Sequence, residues 1–204
     1  PSFLKALTPP AAVFAANDEK GVLICAWATP EERPHIPLPY NEEFMTGFEY
    51  AVGGTMIAEG LTENGERVVS AIRARYDGKK RNPWNEIECG SNYVRSMASF
   101  ALIPIYSGFV FDLPHKKIGF SPIGNGTRFT WFVGTGWGVF EKGNTDCKIE
   151  IKSGTLNLTT LVLPFAKRVK RVFADGKELF FTRTEDGEIR FSETLVKNAL
   201  TVEY

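Results

Sequence analysis

Residues Asn41 to Gly60 read NEEFMTGFEYAVGGTMIAEG, and the period of their apolar side chains decides what the first half of the chain is. Phe44, Phe48, Val52, Thr55 and Met56 recur at steps of three and four, the spacing of one helix face. Asn41 is a good N-cap. Glu42 and Glu43 follow it, where carboxylates complement the helix dipole, and Gly60 supplies a stop. Just beyond, Thr62 can cap a second helix carrying Val68, Val69, Ile72 and Tyr76, closed by an Asp77-Gly78 turn. A third helix is expected to start near Ser91 or Asn92 and to present Tyr93, Met97, Phe100 and Ala101. Pro104 should kink it or end it early. The short loops between these helices favour antiparallel packing.

Outward from this helical stretch the pattern changes on both sides. Upstream, roughly Ala11 to Tyr40, the runs VFAA and VLICAW flank Asn17-Asp-Glu-Lys-Gly21, which reads as a β-hairpin. Pro30, Pro34, Pro37 and Pro39 then impose a stiff, extended connection. Downstream, the period drops to two. Strands are expected at Arg128–Val133, Lys148–Lys152, Thr155–Leu163, Val169–Phe173, Glu178–Thr182, Glu188–Phe191 and Ala199–Tyr204. Asp175-Gly176 and Asp186-Gly187 have the composition of hairpin turns. The basic run Lys167-Arg-Val-Lys-Arg171 is the solvent face of a strand on this pattern. The class is therefore mixed α and β, with a hairpin and helices over 1–116 and an antiparallel β region over 117–204.

Composition narrows the function. The chain has 204 residues, 43% of them hydrophobic and 24% charged, enough for one large domain or two small ones with a core. Twenty-four basic residues balance twenty-four acidic ones, and nucleic-acid binding normally leaves a basic excess. No apolar run reaches the roughly 18 residues of a transmembrane segment. Cys25, Cys89 and Cys147 are odd in number and scattered, so they read as buried or partly buried free thiols in a reducing compartment, which favours the cytoplasm without fixing the location. His35 and His115 lie far apart in sequence, which disfavours a histidine metal site or a histidine triad. No cofactor and no metal is expected. The chain opens on Pro1 without a methionine or signal pattern, so the start is expected to be processed or the chain to be a piece of something longer.

One cluster carries chemistry. Arg81 to Phe100 reads RNPWNEIECGSNYVRSMASF. A bland reading makes Glu86 and Glu88 helix-start acids with Arg95 as a surface ion-pair partner. Trp84, beside Asn82, Asn85, Glu86, Asn92 and Arg95, favours a sugar site. There the C–H face of a pyranose packs on indole while charged forks hold its hydroxyls. Glu86 would accept from neighbouring hydroxyls, and Arg95 would donate to one of them. Trp84 and Asn85 are weaker candidates of the same site, and Glu88 a structural acid.

The order FMTGFEYAVGGTMIAEGL (Phe44 to Leu61), RYDG (Arg75 to Gly78), NPWNE (Asn82 to Glu86) and YVRS (Tyr93 to Ser96) resembles glycoside hydrolase family 116. That family includes non-lysosomal glucosylceramidases and bacterial β-glucosidases. The resemblance spans roughly Ala11 to Gly138. It implies that the chain holds the C-terminal helices of an (α/α)6 barrel, preceded by the β-hairpin and followed by the β region. It implies a retaining hydrolase of β-glucosides or related sugars, whose two catalytic carboxylates lie upstream. On that implication no catalytic residue stands in this chain, which alone is inactive. Its partners are a carbohydrate substrate and the remainder of the parent polypeptide. Glu86 and Arg95, nine residues apart, match the family's pair that grips the outer hydroxyls of a glucosyl unit. The alternative class is a non-catalytic carbohydrate-binding or structural, assembly module.

Overall fold

The computed structural model describes residues 4–6, 18–32, 35, 40, 43–82 and 95–204, with only the backbone at 4–6, 30, 95 and 96. Contacts divide the chain into two compact units, Pro1–Leu102 and Ile103–Tyr204.

In the first unit, strand β1 (Leu4–Ala6) pairs antiparallel with β2 (Lys20–Val22). Lys20 and Gly21, expected in a turn, are thus in a strand, and the expected hairpin's first arm, VFAA, lies outside the described residues. Leu23 bridges Phe44, and the Ile24 amide donates to the Glu43 carbonyl at 3.1 Å. Pro30–Glu32 forms one 3-10 turn. Helices α1 (Thr46–Ala58) and α2 (Thr62–Arg75) follow. Gly60 ends α1 as expected, with φ 83°. Its amide donates to Ile57, and that of Leu61 to Met56, the two bonds of a Schellman cap.

The face that α1 buries differs from the expected one. Thr46, Glu49, Tyr50, Gly53, Gly54 and Ile57 point inward, while Phe48 and Thr55 are exposed and Val52 sits at the margin. Helix N-capping also differs: Met45 is the N-cap of α1 and makes no side-chain cap bond, and the expected cap Asn41 lies outside the described residues. Close approach, not apolar periodicity, sets the face. A Cβ on Gly65 of α2 would stand 2.4 Å from the Gly53 carbonyl oxygen and 2.6 Å from Ile57 Cγ1. The two backbones therefore meet through glycine, and Tyr50, Val68, Ile72 and Tyr76 close a small core beside that crossing.

A buried ion pair completes the unit. Glu49 and Arg75 are 1% and 2% exposed and joined at both carboxylate oxygens, Oε1 to Nη1 at 3.1 Å and Oε2 to Nη2. Glu49 Oε1 also accepts the Val22 amide at 2.9 Å, and Arg75 Nη1 donates to the Lys20 carbonyl at 2.7 Å. The guanidinium carbon lies 5.1 Å from the centroid of the Phe44 ring. Gly21 runs directly over the pair, where a Cβ would stand 2.3 Å from Glu49 Oε1 and 2.6 Å from Arg75 Nη1.

The third expected helix is a 3-10 segment, Arg95–Ala101, running into a short α3 (Leu102–Ser107). Ala98 and Leu102 pack on the core of the first unit, while Met97 and Phe100, expected on one side of the helix, are 65% and 63% exposed. Pro104 sits in the first turn of α3, where a missing N–H is tolerated. No helix among the described residues is long and apolar enough to cross a membrane.

The second unit is a two-sheet, sandwich-like body. Its strands are β3 (Val110–Asp112), β4 (Lys117–Gly119), β5 (Arg128–Val133), β6 (Gly136–Lys142), β7 (Asp146–Gly154), β8 (Leu156–Val162), β9 (Arg171–Ala174), β10 (Lys177–Glu178), β11 (Phe181–Arg183), β12 (Glu188–Val196) and β13 (Ala199–Glu203). One sheet runs β10-β9-β13-β7-β6-β5 and the other β11-β12-β8-β4-β3. Trp131, Phe140, Ile149 and Val202 of the first sheet share one core with Ile118, Leu158, Leu161 and Ile189 of the second. Phe120 stacks on Phe140 at 4.1 Å inside it. The region is not purely antiparallel: β4 runs parallel to β8. Lys167 to Lys170 form an exposed loop rather than a strand face.

The (α/α)6-barrel expectation is overturned by this balance of elements. The described helices are few and short. The pair α1 and α2 is joined through glycines and an ion pair instead of presenting broad apolar stripes to further helices. Most of the remaining described chain is sheet.

Two substitutions test these contacts. Gly65→Ala gains about 1 kcal/mol of intrinsic helix propensity, yet it should lower stability by about 1–3 kcal/mol because the methyl meets backbone. Gly21→Ala should cost about 2–4 kcal/mol by prising apart a buried ion pair. Urea unfolding of both variants gives the signs; a stabilised Gly65→Ala would contradict the close crossing.

Candidate functional site

The sequence-derived sugar site divides unevenly. Trp84, Asn85 and Glu86 lie outside the described residues, as do Glu88 and Cys89. Arg95 opens the 3-10 segment that continues through Ala98 onto the core, and its side chain is likewise outside the described set.

What is described is the frame on the N-terminal side of that cluster. After α2, the Asp77 carboxylate accepts the amides of Lys79 and Lys80 at 2.8 Å each, forming an Asx turn around Gly78, whose φ is 81°. The Gly78 amide donates to the Arg81 carbonyl at 3.1 Å. Arg81 then reaches back 62 residues in sequence to Glu19, Nε to Oε1 at 2.8 Å and Nη2 to Oε2 at 2.6 Å. Glu19 is 8% exposed, so this fork-on-fork contact is a partly buried anchor. Lys80 makes the parallel contact to Asp18 at 2.9 Å in open solvent. That hydrogen bond holds the Asp18 carboxyl below the usual carboxylate range and raises Lys80 in turn. Arg81 is raised by its hydrogen bond to Glu19. The chain therefore enters Asn82-Pro-Trp-Asn-Glu86 from a fixed point.

Beside this frame lies a cavity of about 620 Å³ between the outer face of α2 and residues 18–20. Glu63, Glu66, Arg67 and Ser70 line one wall, with Asp18 and Lys80 on the other. Four acids (Asp18, Glu19, Glu63, Glu66) face four bases (Lys20, Arg67, Arg75, Lys80), so the lining has no net charge. Such a lining gives no excess of either sign to a phosphate or a polycation. Among the described residues, no group of three His, Cys, Asp or Glu side chains stands together as metal ligands would.

Several carboxylates and thiols are accounted for by packing. Glu49 is committed to Arg75 and the Val22 amide. Cys25 is a free thiol at intermediate exposure and Cys147 a buried one. Burial pushes the Cys147 thiol up to about 12, with the Asp146 carboxylate adding to the effect. It is therefore not a nucleophile at neutral pH. His115 pairs with Asp112 at 2.8 Å on the surface.

The Glu49–Arg75 and Glu19–Arg81 pairs were not among the sequence-derived sites. A signal for the first exists: Arg75 follows Val68 and Ile72 at helical spacing and so falls on the buried stripe of α2. The second joins partners too distant in sequence for any local pattern.

No family model and no curated protein matches the chain.

The Cys147 environment has a direct test. In a Cys25→Ser, Cys89→Ser variant, the remaining thiol should resist iodoacetamide in native buffer at neutral pH and react fully in denaturant. Fast native labelling would contradict its burial.

Proposed function

We propose that this chain is the C-terminal part of a glycoside hydrolase acting on β-glucosides or related sugars, with the catalytic carboxylates upstream of it. The reading rests on the order of motifs that resembles glycoside hydrolase family 116, and not on a barrel fold. Glu86 accepts hydrogen bonds from sugar hydroxyls, Arg95 donates to one of them, and Trp84 and Asn85 flank the sugar. The observation that carries the proposal is the anchored entry to the cluster. Arg81 is held by Glu19 at two points immediately before the Asn82-Pro-Trp-Asn-Glu86 sequence. The lining of the cavity beside this frame carries no net charge, which suits an uncharged ligand.

The retaining chemistry belongs to the parent protein, in which this chain's role is to grip the glucosyl unit. A second reading, a non-catalytic carbohydrate-binding or structural module, is favoured by one observation: the two sheets enclose a core of their own.

In the parent enzyme, Glu86→Gln and Arg95→Ala should each lower kcat/KM for an aryl β-glucoside by the equivalent of about 2–4 kcal/mol, the range of charged hydrogen bonds to a substrate. Unchanged kcat/KM in both variants removes the assignment. Sugar affinity without hydrolysis by the parent would favour the module instead.

A further inference from the structure

The outer face of the six-stranded sheet carries two half-exposed aromatic rings, beside a Val139 that is 9% exposed. Trp131 points inward and is 1% exposed; its neighbour Phe132 points outward and is 51% exposed. Phe132 stands directly opposite Trp137 of β6, which is 48% exposed, and Trp137 in turn faces Ser153 of β7. The next outward row is Thr130, Val139 and Glu150. A bulge in β7 between Ile151 and Ser153 adds Lys152 at this edge, and its ammonium meets Glu150 at 3.0 Å.

The rings sit on a fixed support. Gly138 has no Cβ, and the Trp131 indole comes within 2.8 Å of where one would be. The Thr155 amide donates to the Thr135 carbonyl at 3.0 Å, tying the β5–β6 tip to the β7–β8 turn. β5 is an edge strand of the sheet, so the row is open along one side.

Two features select the occupant. Two half-exposed rings fall far short of the roughly 800 Å² per partner that a stable protein interface buries. The charges around them are already paired, Lys152 with Glu150 and Arg128 with Glu141 at 3.1 Å, so they offer no net attraction to an anionic or cationic ligand. A small aromatic platform bordered by hydroxyls and a compensated ion pair fits a neutral ligand that is apolar on one face and hydroxylated at its edges.

We propose that Trp137 and Phe132 form a platform for a neutral oligosaccharide chain. The pyranose C–H faces stack on the rings, and the sugar hydroxyls bond to Ser153, Thr130, Glu150 and Lys152. This site goes beyond the glucosyl grip proposed above and uses none of its residues.

The test uses the whole chain with cellotetraose and laminaritetraose as probes, followed by the indole N–H resonances in nitrogen-15 NMR. The Trp137 signal should shift saturably with at least one probe. Trp137→Ala should weaken binding about tenfold or more and Phe132→Ala less, as for loss of a main and a lesser aromatic contact. Trp84→Ala should leave the saturable shift of the Trp137 resonance unchanged, whatever it does to binding at the Glu86 cluster. Thermal melts should stay near wild type in both platform variants, since each ring is half exposed. The proposal is overturned if neither probe moves the Trp137 resonance, if binding survives Trp137→Ala, or if Trp137 broadens with protein concentration alone, as for a contact between two copies. Binding lost in Trp84→Ala and kept in Trp137→Ala would overturn the platform and support the Glu86 site instead.

Discussion

The first unit depends on one interaction, the buried pair of Glu49 and Arg75 beneath the backbone of Gly21. Taking both charges out of water is costly, and the structure offsets that cost with further hydrogen bonds. The carboxylate accepts a hydrogen bond from a β2 amide, the guanidinium donates one to a β2 carbonyl, and the Phe44 ring covers the cation. Three elements distant in sequence are thereby held in one register. An apolar contact could slide; a bidentate pair with a strand lying across it has one geometry. The glycine-mediated crossing of α1 and α2 follows the same logic, because both are contacts of backbone that no larger residue can imitate.

This constraint extends toward the sugar-type cluster. Arg75 ends α2, and only a turn separates it from Arg81, whose fork on Glu19 ties the same N-terminal stretch back to the helices. On the far side, Ala98 and Leu102 rest on the core formed by Tyr50, Val68 and Ile72. Among the described residues, the stretch before the cluster is held by an ion pair and the stretch after it by apolar packing.

Much of the β unit was legible in the sequence, because a half-buried strand repeats every two residues. Arg128–Val133 was located to the residue. The Asp175-Gly176 turn has the positive φ values at both central positions, 48° and 81°, that such a dipeptide signals. β6 escaped notice: glycine at 136 and 138 removes the apolar inward positions that alternation would have shown. The three-residue strands β3 and β4 are too short to have a period. In α1 the apolar spacing named Phe48 and Val52 for the core. The face was decided by Gly53, Gly54 and Glu49, residues that a hydrophobic count scores as nothing or as solvent-facing. The barrel expectation came from motif order, and motif order does not specify how helices find partners. Of the candidate site, Trp84, Asn85 and Glu86 lie outside the described residues, and the Arg81–Glu19 contact beside them joins residues too far apart in sequence for a local pattern to reveal.

β13 lies between β9 and β7 in the middle of its sheet, although Ala199–Glu203 follow every one of those partners along the chain. During synthesis on the ribosome, the β5–β7 meander and the β9–β10 hairpin therefore wait as separate fragments, each with a bare edge of unpaired amides and carbonyls. Docking of β13 joins them in a single late step, so closure of the sheet is a long-range event and a slow one. Until then β9 and β7 each present unpaired amides and carbonyls that β13 covers in the finished sheet.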